Sequence, residues 1–269
     1  MVVAAATFAL NRNPVSAEAV PVPASFVPVE QKQAALPPAP APALPPPPQL
    51  IIAPPAEPTS DQLTWTASLD ALQEQATAGD PAAERELGLK YLTGDSVEVS
   101  EEEAARWLLR ASYRGEATAE YWLGTLYARG HGVPADIFQA NHWYSASAKL
   151  GNRNAMHRLA VANFAGLGME NNAEQAARWF TQAAQLGLPD SQFDLAVMYE
   201  RGTGVPQDLV AAYKWYSAAA AQGDKQAASR VEILSKELRP DDLVIAMRAA
   251  AEFKPELTDG NGIAATLTP

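Results

Sequence analysis

The chain is predicted to be all-α, a tandem array of helix-turn-helix repeats, and three observations predict it. Glycines recur at Gly79, Gly115, Gly151, Gly187 and Gly223, each 36 residues after the one before. Trp107, Trp143, Trp179 and Trp215 keep the same stride, and Gly94, Gly130, Gly166 and Gly202 keep it too. Landmarks in constant phase mark a repeat whose units bury their apolar faces only by stacking on one another. The period sets units at about 80–115, 116–151, 152–187 and 188–223, inside a domain at 60–254 with caps at 60–79 and 224–254.

The chain opens on an apolar segment, 1–19, in which Val2 to Leu10 is too short to span a bilayer on its own. It reads as a signal peptide, with Ala17-Glu18-Ala19 as a small-residue cleavage site, as the end of a membrane helix of a longer product, or as an apolar tail. Residues 20–59 follow, holding most of the 22 prolines. Proline lacks an amide donor and fixes φ, so this stretch is expected to be a disordered, extended spacer reaching on the order of 100 Å.

Order is expected to begin at Ser60-Asp61, a capping pair ahead of Leu63, Leu69, Leu72 and Ala76. By repeat phase this helix is the second helix of an absent unit, hence the N-terminal cap. Each unit then reads helix, glycine loop, helix, glycine turn. The first helix carries Ala83, Leu87, Gly88 and Tyr91, with Leu123, Leu159 and Leu195 in the place of Leu87. Those spacings keep one face at 3.6 residues per turn, and the small residue after each Leu admits a close neighbour. The second helix pairs a large ring with small residues, as in Ala104, Trp107 and Ala111. The glycine that opens each loop suits a left-handed helix end, and no strand precedes it, so Gly-x-Gly here is not a phosphate loop. After Gly223 the landmarks lapse. Helices through Val231, Leu234 and Leu238, then from Pro240 to Phe253, read as the C-terminal cap, and 255–269 as a disordered tail.

A net charge of -11 argues against nucleic acid and against an anionic membrane surface as partner. The absence of cysteine removes disulfides and thiolate chemistry. His131, His142 and His157 fall in three different repeat positions, which gives no metal-ligand cluster. No serine lies in a nucleophile-elbow setting, and Glu101, Glu102 and Glu103 sit where they favour a helix dipole. No catalytic residue, metal or cofactor is therefore expected. With Leu87 taken as the core direction, Tyr121, Trp122, Arg129, His157, Arg158, Phe193 and Arg201 project away from it on the first helices. Aromatics and Arg are what protein interfaces concentrate, so these are the candidate contacts for a protein or peptide segment on the concave face.

The stretches "LGTLYARGHGV", "ANHWYSASAKLG" and "FDLAVMYERGTGV" resemble the Sel1-like repeat, over about Ala71 to Gly223. The resemblance implies an α/α right-handed superhelix acting as a protein-interaction scaffold. "NAMHRLAVANFAGLG" and "RVEILSKELRPDDL" are similar to the periplasmic part of the PodJ polar-localisation family of alphaproteobacteria, in which a membrane helix and a proline-rich linker precede the repeats. The long cytoplasmic coiled coil of that family is missing here. This likeness implies a periplasmic or inner-membrane-anchored location facing the periplasm, tethered through the N-terminus, and an adaptor or regulatory role. The rival from another class is an enzyme or receptor acting on peptidoglycan or β-lactams.

Overall fold

The computed structural model describes residues 60–256. The apolar segment 1–19, the proline-rich stretch 20–59 and the tail from 257 lie outside the described residues. Within them run α1 (Ser60–Ala78), α2 (Pro81–Thr93), α3 (Glu101–Ser112), α4 (Ala117–Arg129), α5 (Ile137–Lys149), α6 (Arg153–Ala165), α7 (Ala173–Gln185), α8 (Pro189–Arg201), α9 (Leu209–Ala221), α10 (Lys225–Glu237) and α11 (Pro240–Glu252). No strand occurs among the described residues. Helices α2, α4, α6 and α8 are the A helices of four hairpins, and α3, α5, α7 and α9 are their B helices. Each A helix packs on its own B helix and on the B helix before it.

Helix limits follow from end chemistry that also recurs every 36 residues. The B helices are capped by Ser100, Asp136, Asn172 and Asp208, whose side chains accept amide hydrogens of the first turn. The A helices end on Gly94, Gly130, Gly166 and Gly202, all left-handed, whose amides close back on the last turn. In the loop beyond, a left-handed residue stands at Ser96, Gly132, Gly168 and Gly204. A Cβ at Gly132 would lie 2.1 Å from the Glu101 carbonyl oxygen, and one at Gly204 2.3 Å from that of Ala173. The second glycine of Gly-x-Gly thus seats the loop on the first turn of the preceding B helix.

Packing matches the predicted interlock. Leu87, Leu123, Leu159 and Leu195 are buried. A Cβ at Gly88 would stand 2.8 Å from the Leu108 side chain, and one at Gly124 2.8 Å from the Tyr144 ring. Trp107, Trp143 and Trp215 are buried, whereas Trp179 is half-buried between two stretches of core. Burial of such rings supplies most of the drive for stacking.

The ends differ. Helix α1 packs on α2, its Ala76 joins the core of the first hairpin, and Arg110 of α3 donates to the Ala76 carbonyl at 3.2 Å. It therefore fills a B-helix place, as repeat phase predicts. At the other end the landmark residues lapse, yet α10 holds the A-helix frame: Lys225–Glu237 is Pro189–Arg201 advanced by one period. The lapse lies in the next connection. Only Leu238 and Arg239 separate α10 from α11, where Gly202 to Asp208 separates α8 from α9. Too short a loop keeps α11 from folding back on α10, and it packs on α9 instead. The chain then runs extended from Phe253. Its ring meets Trp215 edge-on at 5.0 Å, and the Glu256 amide donates to the Gln185 carbonyl at 2.9 Å. Pro255 and Glu256, assigned by sequence to the tail, thus lie on the array.

Candidate functional site

Four of the seven candidate contact residues converge on one stretch of the A-helix face. Tyr121 and Trp122 of α4 meet edge-on at 5.5 Å, and Tyr121 leans on Tyr144 of α5 at 6.0 Å. Both α4 rings are half-buried, while Arg129 and Arg158 are exposed. Burial pushes the Tyr144 phenol up, and Arg158 and Arg129 lie close enough to act in the opposite direction. The Tyr144 hydroxyl donates to the Thr125 hydroxyl at 3.3 Å. A half-buried aromatic pair flanked by two guanidinium groups can stack on a partner's apolar side chain and hold its carboxylates.

The other three lie elsewhere. Phe193 is a correction. It is only 4 % exposed, because its position on the A helix faces the ring row of the B helices, and it packs edge-on to Tyr216 at 5.3 Å. It is core, not contact surface. His157, in the same repeat position, is half-buried, edge-on to Phe180 at 5.6 Å and 3.0 Å from the Ser191 hydroxyl through Nδ1. Arg201 shares the position of Arg129 two units later and is exposed, with Ala165 between them in the unit they flank. His131 pairs with Glu101 at 3.0 Å and His142 meets Trp143 edge-on. No cluster of His, Cys, Asp or Glu suited to a metal ion occurs among the described residues.

A buried polar row escaped the sequence reading. Position four of the A helices holds Glu84, Glu120, Met156 and Gln192, all buried. The C-terminal turn of the B helix in the same unit sets Arg114, Leu150, Leu186 and Gln222 against it by repeat equivalence. Arg114 and Arg110 reach the fully buried Glu84 carboxylate at 2.7 and 2.9 Å. Gln222 donates to Gln192 at 2.8 Å, and Gln192 donates to the Ala184 carbonyl at 3.1 Å. Met156 stands in the unit of Leu186. Ion pair, apolar pair and amide pair are each matched; Glu120 with Leu150 is not. Glu120 Oε2 has no hydrogen-bond partner among the described residues. Burial, with the neighbouring Glu116 charge behind it, pushes the Glu120 carboxyl up to about 7.

This carries a pH prediction. A carboxyl raised in the folded state binds more protons there than in the unfolded chain between its ordinary value of 4.5 and about 7. Stability conferred by its neutral form is therefore lost as pH rises through that window. Glu120→Gln is expected to be more stable than wild type by about 2–3 kcal/mol above the window, the gain vanishing near its lower edge. Chemical denaturation of both chains across that range checks it; a constant difference would refute it.

Tandem A/B hairpins of this period, with no strand among the described residues and with a clustered A-helix face, define an α-solenoid of the interaction-module class. The Sel1 repeat matches the chain four times, at residues 81–116, 117–152, 153–188 and 189–224. The chain belongs to the Sel1 repeat family. Its units begin one residue later than the glycine landmarks alone suggest. Among solved structures it is similar to a protective antigen of uropathogenic Escherichia coli with an SLR fold, at 31% identity and a TM-score of 0.63, covering 70% of this chain and 41% of that one. It is also similar to a Sel1 repeat protein from Oxalobacter formigenes, at 33% identity and a TM-score of 0.60, covering 62% of this chain and 49% of that one. The chain thus spans less than half the length of either relative. No curated protein matches it. Sel1 repeats typically mediate protein–protein interaction and are generally non-enzymatic.

Proposed function

We propose that this chain is a non-catalytic interaction scaffold of the bacterial cell envelope, with a PodJ-like polar-localisation or periplasmic regulatory role. In this reading its A-helix face holds an extended, carboxylate-bearing segment of a partner protein. The observation that carries the binding claim is the Tyr121–Trp122 pair with Arg129 and Arg158 exposed beside it. The array also accepts extended backbone elsewhere, since Phe253 to Glu256 lies across α9 and the end of α7. The envelope reading rests on the apolar N-terminal segment and the proline-rich spacer, which together suit a tether. No helix among the described residues is long and apolar enough to cross a membrane.

The test is affinity capture from detergent-solubilised envelopes with wild type and with Trp122→Ala/Arg129→Ala/Arg158→Ala. Capture of a defined partner is expected to fall at least about tenfold in the variant, since anchors of this kind each contribute more than about 1 kcal/mol. Equal recovery by the variant, with helicity unchanged by circular dichroism, would defeat the site. A reporter fusion that matures only outside the cytoplasm tests the compartment, and an inactive fusion sinks it.

A further inference from the structure

The unmatched Glu120 points to a second contact, at the edge of the array where the B helices end. We propose that Glu120 receives an arginine side chain supplied by a partner protein, in the place that Arg114 fills for Glu84 within this chain. The two places are the same backbone. Arg114 donates its amide to the Ala111 carbonyl at 3.0 Å and Leu150 to that of Ser147 at 3.1 Å, while Glu116 and Asn152 close the two turns at 3.3 and 3.1 Å onto the same carbonyls. A guanidinium reaches Glu84 from the surface by this route, through Arg110 and Arg114, which are themselves partly exposed.

In the second unit both arginines are absent: Ala146 replaces Arg110 and Leu150 replaces Arg114. A short side chain thus stands where the first unit has a long one, and Leu150 is 40 % exposed beside it. Glu120 is 5 % exposed, with Oε2 unpartnered among the described residues. The neighbouring carboxylate, Glu116, is already engaged, by Arg85 at 2.9 Å and by the Ala119 amide at 2.7 Å. A buried carboxylate without a cation is costly, and one offered a guanidinium forms a strong charge-assisted bond. The net charge of -11 favours a cationic ligand over an anionic one at this edge. Arginine, rather than lysine, is the match because two guanidinium groups, from Arg110 and Arg114, are what hold the equivalent carboxylate in the first unit.

The contact goes beyond the A-helix face and is tested by a different readout. The full chain is labelled with carbon-13 at glutamate carboxyls, and the Glu120 signal is assigned by its loss in Glu120→Gln. Its titration is followed alone, with an acetylated and amidated Gly-Arg-Gly peptide, and with the same peptide carrying neutral citrulline. The Glu120 midpoint is expected to fall with the arginine peptide and not with the citrulline peptide. In Leu150→Arg it is expected to fall by about one to three pH units without any peptide and to respond no further. If Leu150→Arg lowers the midpoint but the two peptides act alike, the edge is closed to a partner and the proposal is overturned. If Leu150→Arg leaves the midpoint unmoved, the equivalence with Arg114 is wrong and the proposal falls with it. Neither outcome touches the capture experiment on Trp122, Arg129 and Arg158.

Discussion

Replacing Arg110 and Arg114 together by alanine is expected to destabilise the first hairpin by about 3–5 kcal/mol, the cost of leaving a buried charge unpaired. Glu84 is fully buried and both guanidinium groups converge on it. Removing only one arginine leaves the other in place, so the single variants are expected to cost far less than half of the double. Because solenoid units touch only their neighbours, the damage is expected to stay local. Hydrogen exchange is the suitable measurement: amides of α2 and α3 should lose protection while those of α8 and α9 keep theirs. Adding Glu84→Gln to the double variant is expected to restore much of the loss. Uniform loss along the array, or no rescue, would show that the pair is not the source.

Trp215→Ala is expected to cost about 3–5 kcal/mol, the usual range for deleting a buried large ring. The indole is buried, lies under the Lys214 ammonium at 4.4 Å and meets Phe253 edge-on. Its loss removes the seat of the extended C-terminal segment as well as core volume. Accordingly the Glu256 amide, held by Gln185, is expected to exchange faster in the variant than the packing loss at α9 alone accounts for. Trp179→Ala is the internal comparison. That ring is half-buried, so its deletion is expected to cost clearly less, and denaturation midpoints of the two variants decide the order.

Residues whose role repeats were legible in the sequence. Gly130 and Gly202 end helices, Leu87 and its equivalents are core, and Gly88 admits Leu108, because a 36-residue stride makes each position its own alignment. The capping row Ser100, Asp136, Asn172 and Asp208 was legible by the same logic and would have fixed the B-helix starts. The candidate face was only partly legible. Helix geometry places Tyr121 and Phe193 in one direction, but whether that direction meets solvent depends on the neighbouring B helix, and Tyr216 covers Phe193. Glu120 was hidden for a different reason. A glutamate in the first turn of a helix normally signals a favourable dipole, and only setting it beside Leu150 shows that the ion pair of the first unit has lost its cation.

The return of the chain from Phe253 to Glu256 over α9 and toward Gly187 has a practical bearing on anything joined behind it. A chain cut at Glu256 ends alongside the third repeat, near Gln185, and not off the far tip of the stack. A fluorescent protein fused there would report on the middle of the molecule, and a bulky one would crowd whatever docks at that level.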